Sequence, residues 1–198
     1  MIYIIRHGQT ETNKANLLQG RSDIPLNDAG REQAKSAAGW FRSRRITFDL
    51  VYSSPLIRAV ETAGIIAPDV PIQTDERIIE IDYGIYEGMD LKDPAPEIVT
   101  FFSDFVHNPA PEGMEALPHI IERFGDFLEE LRPQAEDRNI LISTHAIAMK
   151  GGLEYLTPSS GGRYWATHVA NCDVYAASFK NGEYGVPRKV WDLKSGTR

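Results

Sequence analysis

Five side chains in this sequence have types and spacings that could do chemistry together. Arg6 and His7 follow the apolar run Ile2 to Ile5 and precede Gly8, and His145 closes the run "NILISTH". Arg58 sits just inside a helix-like stretch, "SSPLIRAVETAGII", and Glu80 stands in the acidic segment "RIIEIDYGIYEG". Two guanidinium groups, two imidazoles and a carboxylate suit the transfer of a phosphoryl group. Planar Arg donors match the equatorial oxygens of phosphorus bidentately. An imidazole nitrogen can attack phosphorus and hold it covalently. A carboxyl group can protonate the departing oxygen and then take a proton from the attacking water. With Arg and imidazolium supplying the positive charge, this chemistry asks for no metal and no cofactor. Gly8, lacking a Cβ, is expected to let the backbone approach the phosphate.

Each residue alone also has a plainer use. Arg6 suits a surface cation at a strand end, and either histidine suits a hydrogen-bonded structural group. Arg58 and Glu61 are spaced for an i,i+3 ion pair on a helix surface, and Glu80 for a solvated acid. The five acquire meaning only if the fold brings them to one place.

The elements that would do so are legible. Strand-like runs occur at "IYII", "DLVYSS", "NILISTH", "VYAASF" and "RKVWDL", with a weaker one at "VPIQT". Between them lies helical periodicity. In "NDAGREQAKSAAGWFRSRR", Asn27 or Asp28 is the cap and Ala34, Ala37, Ala38 and Phe41 share one face. Ser54 as N-cap and Pro55 at the first helical position open the next helix. Ile120, Ile121, Phe124, Phe127, Leu128 and Leu131 form the core stripe of a long third helix, and a fourth follows His145. This alternation predicts an α/β fold: a three-layer α/β/α sandwich around a mostly parallel sheet of about six strands, with an antiparallel edge. Ligands of open α/β sheets gather at the carboxyl ends of strands, where His7 and His145 both fall. The stretch from Pro94 to Pro118 is the one region expected to be irregular.

At 198 residues the chain fits one domain. Its 42% apolar and 25% charged composition is that of a globular protein, and a net charge of −7 argues against nucleic-acid and anionic-membrane partners. The single cysteine, Cys172, excludes an internal disulfide and a multi-cysteine metal site. No leader-like or membrane-length apolar segment is present, so the expected location is cytoplasmic. No glycine-rich nucleotide loop or zinc helix occurs, and Cys172 lacks the arginine of a cysteine-phosphatase loop, Ser178 standing there instead. His107 and His119 read as surface or insertion residues, and His168 as a loop residue near the pocket.

"RHGQTETN", "LLQGRSDIPLNDAGREQA", "VYSSPLIRAVETA", "EIDYGIYEG" and "ILISTHA" occur in an order that resembles the histidine phosphatase superfamily, which includes the cofactor-dependent phosphoglycerate mutases. The likeness runs from Met1 to about Leu153, with a weaker echo at "VANCDVY". It implies that His7 is the nucleophile, that Arg6, Arg58 and His145 complete the phosphate pocket, and that Glu80 is the proton donor. It further implies substrate contacts from Asn13, Gln19 and Gly20. The chain departs from the family pattern in having Ala146 after the second histidine, where Gly is usual, and Thr144 where Ser is common. The methyl group of Ala146 is expected to tighten that turn or shift His145.

Residues 88–118 stand where the family carries a lid-like, substrate-contacting insertion. Lys92 is its strong cation, set against Asp90, Asp93, Glu97, Asp104, Glu112 and Glu115. A bisphosphoglycerate mutase needs further Arg or Lys donors at the rim. The expectation is therefore a metal-independent phosphomonoesterase acting through a phosphohistidine intermediate on a small phosphate ester. A phosphoglycerate mutase is the alternative, a noncatalytic module a third reading, and oligomerisation stays open. The reacting form is expected to have His7 neutral, His145 protonated to help hold phosphate, and Glu80 protonated as acid.

Overall fold

The computed structural model describes residues 1–194. Its main sheet has six strands in the order β3-β2-β4-β1-β5-β8. They are β1 (Ile2–Arg6), β2 (Leu50–Ser53), β3 (Ile72–Thr74), β4 (Ile140–Thr144), β5 (Val174–Ala177) and β8 (Arg188–Trp191), and a two-residue hairpin of β6 (Phe179–Lys180) and β7 (Glu183–Tyr184) interrupts the last pair. The strands β3, β2, β4 and β1 run parallel, whereas β5 pairs antiparallel with both β1 and β8. The expected mostly parallel sheet with an antiparallel edge is present. "VYAASF" is not one strand: the ladder stops at Ala177, and Phe179 turns off to pair with Tyr184.

Both faces of the sheet are covered, and the period-two pattern of the central strands shows how. Ile2, Ile4, Ile140 and Ile142 enter one core with Phe124, Leu128 and Met149. Tyr3, Ile5 and Leu141 enter the opposite core with Ala34, Ala38 and Phe41. The helices are α1 (Glu11–Lys14), α2 (Asp28–Ser43), α3 (Ile57–Ile66), α4 (Pro96–Ser103), α5 (Leu117–Ala135), α6 (Ala146–Tyr155) and α7 (Arg163–Ala166). Residues of α5 and α6 fill the first core, and those of α2 and α3 the second. The predicted stripes are buried, apart from Ile121, which is only partly covered. Pro94 to Pro118 is less irregular than expected. Pro96 at the first helical position starts α4, which buries Ile98 and Phe101 in a third apolar cluster with Tyr83 and Trp165.

Two helix starts matter for the site. Asn27 caps α2, its side chain accepting from Gly30 N. The helix α3 starts later than expected, at Ile57, with Leu56 at the cap position and no side-chain cap of its own. Asp23, from a distant loop, accepts the Ile57 N–H at 2.6 Å instead. Ser54 is thereby freed for another contact.

Gly8 is required for a reason other than the one expected. The backbone of Gly8-Gln9 crosses the first turn of α2 so closely that a Cβ on Gly8 would collide with the Gly30 carbonyl. A Cβ on Gly30 would collide in turn with Gln9 O. Asn27 N donates to Gln9 O at 3.0 Å, and Gln33 Oε1 accepts from Gln9 N at 2.8 Å, so the loop after β1 is clamped to α2. Gly30→Ala should therefore destabilise the fold by about 2–3 kcal/mol through overpacking. Gly39→Ala on the same helix has open space around its Cβ and should stabilise by about 0.5–1 kcal/mol. Urea unfolding of the two variants measures the contrast, and equal effects would contradict the crossing.

Candidate active site

The carboxyl ends of β1 and β4 lie side by side in register, Arg6 opposite Thr144. His7 and His145 leave these neighbouring strands, and their ring centroids are 5.1 Å apart. Both are almost completely buried, at 3% and 0% exposure, as is Arg58 at 0%.

Arg58 joins them. Its Nε points between the rings, 3.2 Å from His7 Nε2 and 3.2 Å from His145 Nδ1. Its Nη1 and Nη2 donate to Ser22 O at 2.7 Å and Gly20 O at 2.6 Å. The surface ion pair with Glu61 does not form; Glu61 accepts instead from Leu26 N and faces Arg31. Hydrogen bonding fixes both tautomers. His7 Nδ1 lies 2.7 Å from Gly8 O, which can only accept, so the proton is on Nδ1 and Nε2 carries the lone pair. His145 accepts at Nδ1, so its Nε2–H donates to Ser54 Oγ at 2.7 Å.

Burial, followed by the positive charge of Arg58, holds the pKa of both imidazoles well below the usual histidine value. His7 is neutral, as expected for an attacking group. His145 is held neutral by the same causes, which oppose the expected imidazolium. Two guanidiniums close to it disfavour a third cation. Burial also brings Arg58 down to about 10.

Arg6 donates through Nη1 to Val169 O at 2.7 Å, while its buried Nε has no partner among the described residues. Gln19 behaves similarly. Its Oε1 accepts from Thr10 Oγ1 at 2.7 Å and Asn13 Nδ2 at 3.1 Å, leaving a buried Nε2 unpartnered. Asn13 itself is spent on Gln19, Thr10 and Asn171, so it positions Gln19. Gly20 offers no free N–H: the Glu87 carboxylate takes it at 2.9 and 3.0 Å.

Glu80 enters from the loop after a short helical turn. Its carboxylate accepts from Ile81 N at 3.0 Å, Ala148 N at 2.9 Å and Ile147 N at 3.2 Å, which seats it on the first turn of α6. Thr144 Oγ1 donates to Ile78 O at 2.7 Å and ties that turn to the end of β4. Ala146 opens α6 without a positive φ, so its methyl group neither tightens the turn nor displaces His145.

Several positioning groups escaped sequence reasoning. Asn171 donates to His7 O at 3.0 Å, and Thr62 Oγ1 accepts from Gly8 N at 3.1 Å while donating to Arg58 O. Asp23 and Ser54 join them. Each has a partner 34 or more residues away in the chain, which local sequence does not reveal. The segment "VANCDVY" that carries Asn171 offers only a faint likeness in sequence. His107 and His119 are exposed and paired with Asp104 and Glu115. Among the described residues, no three His, Cys, Asp or Glu side chains converge as metal ligands, and no helix is long and apolar enough to cross a membrane.

Fold and site together define an α/β phosphohydrolase. The profile of the histidine phosphatase superfamily (branch 1) matches residues 2–192, and the chain belongs to that family. The match extends well past Leu153, where the recognisable motifs thin out. Phosphoserine phosphatase 1 of Hydrogenobacter thermophilus is 29% identical over 170 residues, covering 83% of this chain and 80% of the relative. A 2,3-bisphosphoglycerate-dependent phosphoglycerate mutase of Parvibaculum lavamentivorans is 31% identical, with 86% of each covered. The crystal structure of a phosphoserine phosphatase of Entamoeba histolytica in complex with 3-phosphoglyceric acid superposes with a TM-score of 0.80. It shares 27% identity and covers 96% of this chain and 94% of that one.

Two histidines buried neutral are a stability term with a definite sign. Their unfolded pKa is near 6.5 and their folded values are lower, so the unfolded chain binds more protons. Stability from this source is present above pH 6.5 and is lost as pH falls below it. Replacing His145 by Gln should flatten the fall between pH 6.5 and 5.5 by about 1 kcal/mol, with the slope approaching about 1.4 kcal/mol per pH unit below that. Urea midpoints at half-unit pH steps measure this, and parallel wild-type and variant curves would refute it.

Proposed function

We propose that the protein is a metal-independent phosphomonoesterase in which His7 is transiently phosphorylated. The observation that carries this reading is the His7 ring itself. It is neutral, with its proton fixed on Nδ1 by Gly8 O and its Nε2 lone pair turned to the shared guanidinium edge. Arg6 Nε and Gln19 Nε2 are buried donors awaiting an acceptor. Leaving a donor so costs about 1–3 kcal/mol, and a phosphate oxygen would relieve it.

In the first step His7 Nε2 attacks phosphorus, the bond to the ester oxygen breaks, and Glu80 gives that oxygen its proton. In the second, Glu80 takes a proton from water, the water oxygen bonds to phosphorus, and the P–N bond breaks. Arg6 and Arg58 hold the equatorial oxygens throughout, and His145 lies beside the same phosphate. Asn13 and Gln19 shape the pocket, and the Gly20 carbonyl fixes Arg58. The site accounts for its positive charge through guanidinium groups, which is why metal independence is part of the proposal.

The mutase reading is weaker. Glu87 occupies the Gly20 and Ser22 N–H groups at the entrance with a negative charge. The 88–118 insertion carries six carboxylates against the single strong cation Lys92, so it offers few donors for a second phosphate.

Hydrolysis of p-nitrophenyl phosphate should proceed undiminished in EDTA, and acid-labile phosphate should be trapped on His7 by rapid alkaline quench. His7→Ala should lower kcat by about 10³-fold or more, because the nucleophile acts as a unit with its neighbours. Turnover abolished by chelator, or a fully active His7→Ala, would overturn the proposal. So would interconversion of 3- and 2-phosphoglycerate that outpaces phosphate release.

A further inference from the structure

The insertion supplies few cations, but one reaches the neighbourhood of the site from the opposite side. Lys150 lies on α6, one turn beyond Ile147, whose amide holds Glu80. Only 9% of Lys150 is exposed. Its Nζ donates to Trp165 O at 2.9 Å and stands 5.1 Å from the centre of the Phe105 ring. Among the described residues no carboxylate lies within ion-pair distance of it. Burial lowers its pKa to about 8, and the charges of Glu80 and Arg6 act on it directly.

Lys150 lines a cleft of about 550 Å³ between α4 and the α7 segment, together with Phe102, Phe105, Thr167 and His168. Two of its lining residues adjoin groups that hold the phosphate pocket. His168 precedes Val169, whose carbonyl holds Arg6. Phe102 packs edge-on against Tyr83, a buried ring close enough to Glu80 and Arg6 to feel both charges. Asp104 also lines the cleft, but its carboxylate is spent on Val106 N, His107 N and His107 Nδ1. An ammonium group this deeply buried, with the Trp165 carbonyl as its one hydrogen-bond acceptor among the described residues, is expensive unless an anion comes to it.

We propose that Lys150 determines specificity by binding a carboxylate on the alcohol half of the substrate, so that the preferred esters are phosphorylated small hydroxy acids. This rests on the phosphomonoesterase reading above and extends it. The volume of the cleft takes a three- or four-carbon leaving group. Phe102, Phe105 and Trp165 line it beside Lys150, and the burial of the ammonium strengthens its pairing with a carboxylate.

The test uses two esters that differ only at the distal carbon: 3-phosphoglycerate, which ends in a carboxylate, and glycerol 3-phosphate, which ends in a hydroxymethyl group. Wild-type enzyme should prefer the first by about tenfold to a hundredfold in kcat/KM, the worth of one charge-assisted hydrogen bond. Lys150→Met should erase that preference through KM on 3-phosphoglycerate, leave glycerol 3-phosphate hydrolysis within about threefold, and be partly rescued by Lys150→Arg. A purely structural lysine would lower both substrates together, and that result would overturn the proposal. The same ratio read as calorimetric Kd values in a His7→Ala background needs no turnover. If wild type hydrolyses neither ester but Lys150→Met still removes the binding preference, the phosphatase reading fails and the role of Lys150 stands. If hydrolysis is normal and neither ratio moves, Lys150 is not the selector.

Discussion

The site is organised around one buried guanidinium. Arg58 spends its Nε on two imidazoles and its two terminal nitrogens on the carbonyls of Gly20 and Ser22. It thus fixes, in one rigid plane, the tautomers of His7 and His145 and the course of the entrance loop. A lysine could not do this, since a point charge carries no fork. The same loop returns the support: Asp23, three residues after Gly20, caps the first turn of the helix on which Arg58 stands. Position and positioner are held reciprocally, which is how a side chain with several rotatable bonds stays within the narrow tolerance that attack on phosphorus needs.

That arrangement runs against the ordinary rules of burial. Arg58 and Lys150 are buried and Arg6 is partly so, and among the described residues no carboxylate lies within ion-pair distance of any of the three. The recorded ion pairs lie elsewhere, most of them on the exterior, as with Arg77 and Glu130 or Lys35 and Glu32. Arg123 shows what a structural buried arginine does here: it pairs with Glu115 at 2.7 Å. A net charge of −7 and a cationic site are therefore compatible, because most acids lie on the exterior while cations without an ion-pair partner gather near the carboxyl ends of the strands. The fold keeps that desolvation strain at one place and offsets it with two dry cores and a six-stranded sheet.

Much of this was legible in the sequence where chemistry and periodicity coincide. Alternating strands and helices gave the layered sheet, because central strands buried on both faces have to be apolar at every position. The five candidate residues stand out by type, Arg6, His7 and His145 at strand ends, Arg58 in a helix's first turn and Glu80 in a loop. What escaped was geometry that only long-range contact creates. Ser54 and Pro55 form a good helix start on paper, yet Asp23 supplied the cap and Ser54 went to His145. The pattern at Gly8 suggests clearance for a ligand, whereas a Cβ there would meet the backbone of Gly30. Lys150 sits in "IAMKGG", an ordinary helix interior by pattern, and nothing in its spacing reveals a cleft on that face.

The two halves of the site differ in how their chemistry is secured. The phosphate half is built from strand ends and helix first turns, with each donor fixed by hydrogen bonds to backbone or to neighbouring side chains, so its geometry is set before anything binds. The alcohol half is walled by Phe102, Phe105 and Trp165, rings that pack on one another and on Tyr83 without directional bonds. Hydrophobic walls set size and dryness but not orientation, so discrimination among leaving groups must come from the few polar groups inside them. A family with one phosphate pocket can in this way serve different esters, by exchanging side chains around the cleft while the histidines and arginines stay where the sheet puts them.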